Sequence, residues 1–239
     1  MEKAIALEPR SPVDALVIAA HPDDAEFGAA GTVARWTQAG KNVAYVVCTS
    51  GDKGTSDRNL TPEALVALRE EEQRAAARVL GVREVVFLRY PDQALEETPE
   101  FRRHLVAAIR AFKPHTVITT DPYRRYLWHR DHRIVGQVVM DAVFPFARDH
   151  MAYPDLLELG LEPHKVREVL YFGAEEINFH SDIAATFDLK VEALRCHASQ
   201  VREFGVDDLA SWLRERYARL AAGSPYELAE AFHRVEMPK

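Results

Sequence analysis

Two short polar stretches carry residue types that could do chemistry together. The first, His21-Pro22-Asp23-Asp24, cuts off an apolar run, "ALVIAA" (15–20). The second, "WHRDHR" (128–133), brings His129, Asp131 and His132 a few residues after another apolar run, "HTVITT" (115–120). Two neutral imidazoles and one carboxylate make an open site for Zn²⁺ that leaves a coordination position for water. The metal lowers the pKa of that water towards about 7. A second carboxylate, off the metal, can take the water's proton as general base. A further histidine, held protonated by a nearby acid, can stabilise an oxyanion or protonate a leaving group. Together these are the parts of a metal-assisted amide hydrolysis.

A plainer reading stands beside it. Asp23 or Asp24 can cap the helix that follows, and Asp23 with Glu26 fits an acidic form of the capping box. Asp131 can cap a helix over 132–144 while His129 and Arg130 stay solvated. Capping explains neither His21 at the end of a strand nor two histidines at the second corner.

The elements that must position these residues alternate. "ALVIAA" reads as a strand covered on both faces. A helix follows over 26–39 and stops at Gly40. "VAYVVCT" (43–49) is a second strand, and a helix over about 62–80 stops at Gly81. "VVFL" (85–88), a helix over 100–112 and "HTVITT" continue the order. Such a βαβαβα order predicts an α/β fold, a Rossmann-like three-layer sandwich with a mostly parallel sheet. In open parallel sheets ligands bind beyond the C-terminal strand ends, where both polar corners fall. After a loop at 121–131, a helix is expected over 132–144 and a loop-rich stretch over 145–165. "REVLYFG" and "DIAATFD" read as later strands, and a helical block runs with breaks from Leu189 to the C-terminus.

With 239 residues and 47% hydrophobic content, the chain suits one large domain. A net charge of −7 excludes the basic surface that nucleic-acid binding needs. No apolar run reaches the length of a membrane span, and the N-terminus lacks a signal-peptide core, so a cytoplasmic location is expected. Cys48 and Cys196 have no metal-type spacing and read as small hydrophobes.

"AHPDDAEFGAAGTVARW" (20–36) resembles the AHPDD(A/V)E-x-G-x-GGT motif of the LmbE-like, or PIG-L-type, zinc-dependent de-N-acetylases, and "HRDH" (129–132) resembles their HPDH motif. Weaker similarities are "LREEEQRAAARVLGV" (68–82), "YPDQAL" (90–95) and "KVEALRCHASQ" (190–200), so the resemblance spans about 15–201 and leaves 202–239 as a helical extension. It implies that His21, Asp24 and His132 ligate Zn²⁺, with Fe²⁺ or another divalent ion an alternative. It also implies that Asp23 is the general base, that His129 stabilises the tetrahedral intermediate and helps the amine leave, and that Asp131 supports the charge and orientation of His129. Arg69 and Asp92 align with sugar-contacting positions, and His197 falls near the site. The implied substrate is an N-acetylglucosamine-containing small molecule, and the implied assembly is a homo-oligomer.

The chain departs from the pattern at Arg130, which replaces the proline of HPDH and sets a cation beside His129, and at Ala30, which replaces a glycine. The arginine- and aromatic-rich loop 121–131 reads as a wall that shapes the substrate site and accepts an acidic or sugar-bearing aglycone. Two other functions stay open: a catalytically silent sugar-binding protein, and a metal-dependent amidase or esterase for another substrate. Retention of Asp23 speaks against the first.

Overall fold

The computed structural model describes residues 7–126 and 129–238. The strands are β1 (Ala15–Ala19), β2 (Val43–Thr49), β3 (Glu84–Tyr90), β4 (Thr116–Thr120), β5 (Glu168–Phe172), β6 (Phe179–Asp182) and β7 (Ala229–Glu236). The helices are α1 (Asp24–Gln38), α2 (Pro62–Val79), α3 (Pro99–Phe112), α4 (Arg130–Val143), α5 (Asp155–Glu158), α6 (Phe187–Cys196), α7 (Ala198–Val201) and α8 (Leu209–Leu220). All seven strands join one sheet in the order β3-β2-β1-β4-β5-β7-β6. β1 to β5 run parallel, while β7 pairs antiparallel with both β5 and β6.

Strand residues alternate between two cores because successive side chains leave opposite faces of a strand. Leu16, Ile18, Val46 and Val117 pack against α3 and α4 on one face. Val17, Tyr45, Ile118 and Leu170 pack against α1, α2 and α6 on the other. Thr61 and Thr98 start α2 and α3 by accepting the Ala64 and Phe101 N–H groups, with proline at the first helical position of each. The strand order reverses between β1 and β4, so the crevice at that switch point lies beyond the ends of those two strands.

Two expectations fail in the C-terminal third. "DIAATFD" is not a strand: extended backbone ends at Asp182, whose carboxylate turns the chain by accepting the Ala184 N–H at 3.0 Å. A 3₁₀ turn (Ala184–Thr186) then leads into α6. The helical reading of the C-terminus holds for α8 but not for 229–236, where β7 fills the place between β5 and β6. Its run of Ala and Glu favours a helix locally, and pairing on both edges overrides that preference. Glu230 shows the tertiary demand. Fully buried on β7, it accepts the Gly31 and Thr32 N–H groups at 2.8 Å each and pairs with Lys190 at 2.7 Å.

Candidate metal centre and active site

The turn after β1 is built by its own polar groups. Asp24 Oδ2 accepts the His21 backbone N–H at 2.8 Å, and the Asp23 carbonyl accepts the Glu26 and Phe27 N–H groups, which starts α1. Asp23 occupies the left-handed region, with φ +98°, a conformation that costs a non-glycine residue about 1–3 kcal/mol. Its carboxylate makes no capping bond. Glu26 does not reach back to Asp23 either, but bonds to Gln73 and His197, so the capping-box reading is overturned. At the second corner the N-cap is His129, whose Nδ1 accepts the Asp131 N–H at 3.2 Å. The Asp131 side chain caps nothing on α4: it is fully buried, and Oδ2 accepts the Gln93 N–H at 2.7 Å.

Three donor side chains meet where the corners converge. His21 Nδ1 lies 3.2 Å from Asp24 Oδ2 and 3.2 Å from His132 Nε2, and His132 Nε2 lies 3.0 Å from Asp24 Oδ1. Ligands at 2.0–2.1 Å around a tetrahedral ion are separated by about 3.3 Å, so this donor set fits a small divalent metal. The other side of the His21 ring is held by carboxylates, with Nε2 at 3.0 Å from Asp92 Oδ1 and 3.3 Å from Asp131 Oδ2. Carboxylates there keep the proton on Nε2 and leave the Nδ1 lone pair for a metal. Burial pushes the His21 pKa down, but hydrogen bonds to Asp131, Asp24 and Asp92 outweigh it and hold the pKa well above the usual range. Burial raises the Asp24 carboxyl, yet the charges and hydrogen bonds of His132 and His21 hold it well below the usual carboxylate range.

Asp23 stands beside this cluster. Burial, and then the negative charge of Asp24, push its pKa up to about 6, while Arg69, His197 and His21 oppose the rise. The backbone of Asp23 is held from behind, since Gln73 Oε1 accepts its N–H at 3.0 Å. Gln73 in turn donates to Glu26 at 2.9 Å, and His197 Nε2 lies 3.1 Å from the other Glu26 oxygen. Arg69 donates to the carbonyls of Pro22, Gly51 and Lys53 and comes within 3.5 Å of Asp23 Oδ2.

These placements change several expected roles. His197 is fully buried, so its expected substrate contact is corrected to a support behind Asp23. Arg69 and Asp92, each 4% exposed, show only a narrow edge and spend most of their polar contacts on the protein. The Asp131 carboxylate faces His21 and the 93–95 turn, while its backbone N–H donates to His129 Nδ1 and its charge acts to raise the His129 pKa. Burial, and then the positive fields of His21 and His132, lower the His129 pKa, while the charges of Asp131 and Asp92 oppose the fall. With Nδ1 accepting the Asp131 N–H, the neutral ring carries its proton on Nε2. Arg130 turns away to Glu96, at 2.6 Å, and adds no cation beside His129.

An open cleft adjoins the cluster, lined by Asp24, His129 and His132 together with Phe27, Phe172 and Tyr217. Gly28 is required there, because a Cβ at that position would lie 2.5 Å from the Phe172 ring. The loop expected to form a wall contributes Asp121 and Arg124 to this cleft, while Leu127 and Trp128 lie outside the described residues. Gln73, Glu26 and Glu230 were not singled out in the sequence as supports. Glu26 stood within the first motif, and Gln73 left a signal in sitting four residues after Arg69, on the same face of α2.

The chain is similar to known deacetylases in sequence and in fold. The PIG-L family model, described as GlcNAc-PI de-N-acetylase, matches residues 16–143. A diacetylchitobiose deacetylase of Thermococcus kodakarensis is 34% identical over 188 residues, which cover 79% of this chain and 70% of that protein. A probable N-acetyl-alpha-D-glucosaminyl L-malate deacetylase 2 of Bacillus anthracis is 31% identical, with 83% of this chain and 90% of that protein covered. Among solved structures, the N,N'-diacetylchitobiose deacetylase from Pyrococcus horikoshii superposes with a TM-score of 0.88 at 30% identity, covering 93% of this chain and 83% of that one.

Proposed function

The chain belongs to the PIG-L family, and from that premise we propose that it removes the N-acetyl group from an N-acetylglucosamine-containing small molecule, giving acetate and a free amine. The observation that carries the reading is the approach of His21 Nδ1, Asp24 and His132 Nε2 to within 3.2 Å of one another, with the uncapped carboxylate of Asp23 beside them. In this reading His21, Asp24 and His132 hold a divalent ion, zinc first and Fe²⁺ as the alternative, since a His/His/Asp set accepts several such ions. When bound, the ion supplies Lewis-acid polarisation of the acetyl carbonyl and makes water a nucleophile near neutral pH.

The protein's own groups do the rest. Asp23, with its pKa near 6, is largely ionised at neutral pH; it takes the proton of the attacking water and returns it to the amine nitrogen as the C–N bond breaks. Arg69 and Gln73 fix the turn that aims it. His129, on the cleft wall, presents Nε2–H to the oxygen that gains charge as the carbonyl becomes tetrahedral. Asp131 and Asp92 keep His21 in the tautomer that binds metal. The exposed edges of Arg69 and Asp92 are the parts of those residues left for the sugar.

The test is acetate release from a panel of N-acetylglucosaminides, with and without chelator. Chelator-sensitive acetate, matched by free amine, supports the reading. Release from other acylated amides or esters but not from N-acetylglucosaminides would replace it. The same reading includes a cytoplasmic homo-oligomer, which light scattering after size exclusion checks for assembly. Among the described residues, no helix is long and apolar enough to cross a membrane.

A further inference from the structure

Besides the catalytic residues, the cleft is lined by two arginines, Arg124 from the segment after β4 and Arg216 from α8. Their neighbours on the same two segments are neutralised. Arg125 lies 3.5 Å from Glu175 and 4.0 Å from Glu176, Arg214 lies 3.3 Å from Glu227, and Arg219 lies 4.0 Å from Glu215. Among the described residues, neither Arg124 nor Arg216 has a carboxylate within ion-pair reach. Arg216 rests near the Trp212 ring, 5.9 Å from its centroid. Asp121, which shares the cleft, turns one carboxylate oxygen to the Tyr123 N–H at 2.8 Å. In a chain of net charge −7, the two arginines that line the cleft are thus without an ion-pair partner among the described residues, while Arg125, Arg214 and Arg219 are paired.

A guanidinium offers a planar fork of donors that matches the oxygens of a carboxylate or a phosphate, and two of them on facing elements raise the local concentration of an anion. We infer that Arg124 and Arg216 form a subsite for an anionic group carried by the part of the substrate joined to the glucosamine. The identity of the sugar rests on the deacetylase reading above, whereas the preference for an anion rests on the two arginines alone. A carboxylate and a phosphate are the same chemistry to this subsite.

The experiment compares binding, so that it does not depend on turnover. Zinc-loaded Asp23→Asn protein is titrated by calorimetry with three N-acetylglucosaminides: the methyl glycoside, the carboxymethyl glycoside and the 1-phosphate. The subsite predicts that at least one anionic ligand binds about tenfold tighter than the methyl glycoside. That ratio falls towards one when Arg124→Ala and Arg216→Ala are combined, and it shrinks as salt is raised. Equal affinities for all three ligands would overturn the inference. So would an anion preference that survives in the double variant, because the metal and not the arginines would then hold the anion. Acetate release by the wild-type protein is followed separately. An arginine-dependent preference without acetate release keeps the subsite and removes the deacetylase reading, and acetate release with no preference does the reverse.

Discussion

Replacing Asp131 with asparagine separates two accounts of what its carboxylate does. In the structure Oδ2 accepts the Gln93 N–H at 2.7 Å and faces His21 Nε2 at 3.3 Å, while Oδ1 has only a longer contact to the Leu95 N–H, at 3.4 Å. An asparagine oxygen in the Oδ2 position serves both near donors, and its NH₂ group then faces the weak third contact. The fold is therefore retained and the negative charge behind His21 is lost. Losing a partner of this kind lowers metal affinity by about 10- to 100-fold. Asp92, 3.0 Å from the same nitrogen, still holds the tautomer, so the effect belongs at the lower end, about tenfold or ~1.4 kcal/mol. Asp131→Ala also removes the acceptor for Gln93, which adds about 1–3 kcal/mol of lost stability.

The assay is competition for Zn²⁺ between the protein and a chromogenic chelator, alongside acetate release at saturating metal. Weaker metal binding, with turnover largely restored by excess zinc, is the expected result. If Asp131→Asn bound zinc as tightly as the wild type and yet turned over slowly at saturation, the carboxylate would be acting on His129 and the reasoning would be refuted.

Asp23→Asn should keep the metal and lose about 10²- to 10⁴-fold in turnover, the range for removing a general base; near wild-type turnover would reassign that role. The same variant should be more stable than the wild type in chelator. A carboxyl raised from 3.8 to about 6 on folding binds its proton more tightly in the folded state, so stability falls as pH rises through that window, and removing the charge recovers roughly 3 kcal/mol above it. Urea unfolding at pH 7.5 reads this, and a loss of stability would contradict it. Gln73→Leu leaves the Asp23 N–H without its acceptor and should lower kcat at unchanged metal content; an effect on KM alone would argue against a role in aiming Asp23. Lys190→Met strands the charge of Glu230 in a site where both side chains are fully buried, and should cost about 3–5 kcal/mol in urea unfolding. A cost below about 1 kcal/mol would mean that the pair is not what locks β7 to α1.

How much of this was legible in the sequence depended on how local the signal was. The ends of β1 and β4 could be read because apolar runs stop abruptly there and a charged corner follows each. The parallel order of β1 to β4 came from the alternation of runs and helices, and the crevice then followed from topology. Partner choice could not be read. Asp131 follows His129 by two residues, so the sequence suggests that they act together, yet the start of α4 sends the carboxylate inward to His21. The supports of Asp23 come from α1, α2 and the end of α6, and no local pattern joins Glu26, Gln73 and His197. β7 was hidden for the same reason, because its helix-favouring residues are held extended by β5 and β6, its neighbours in the sheet.

The most direct test of the account is the metal content, by plasma mass spectrometry, of protein purified without chelator or metal-affinity tag. The wild type and Asp23→Asn are expected to carry about one equivalent of zinc or iron, and His132→Ala a small fraction of that, because only the last removes one of three ligands. A wild-type protein that neither carries nor takes up a divalent ion, or a His132→Ala variant that holds as much as the wild type, would contradict the claim that His21, Asp24 and His132 form a metal centre.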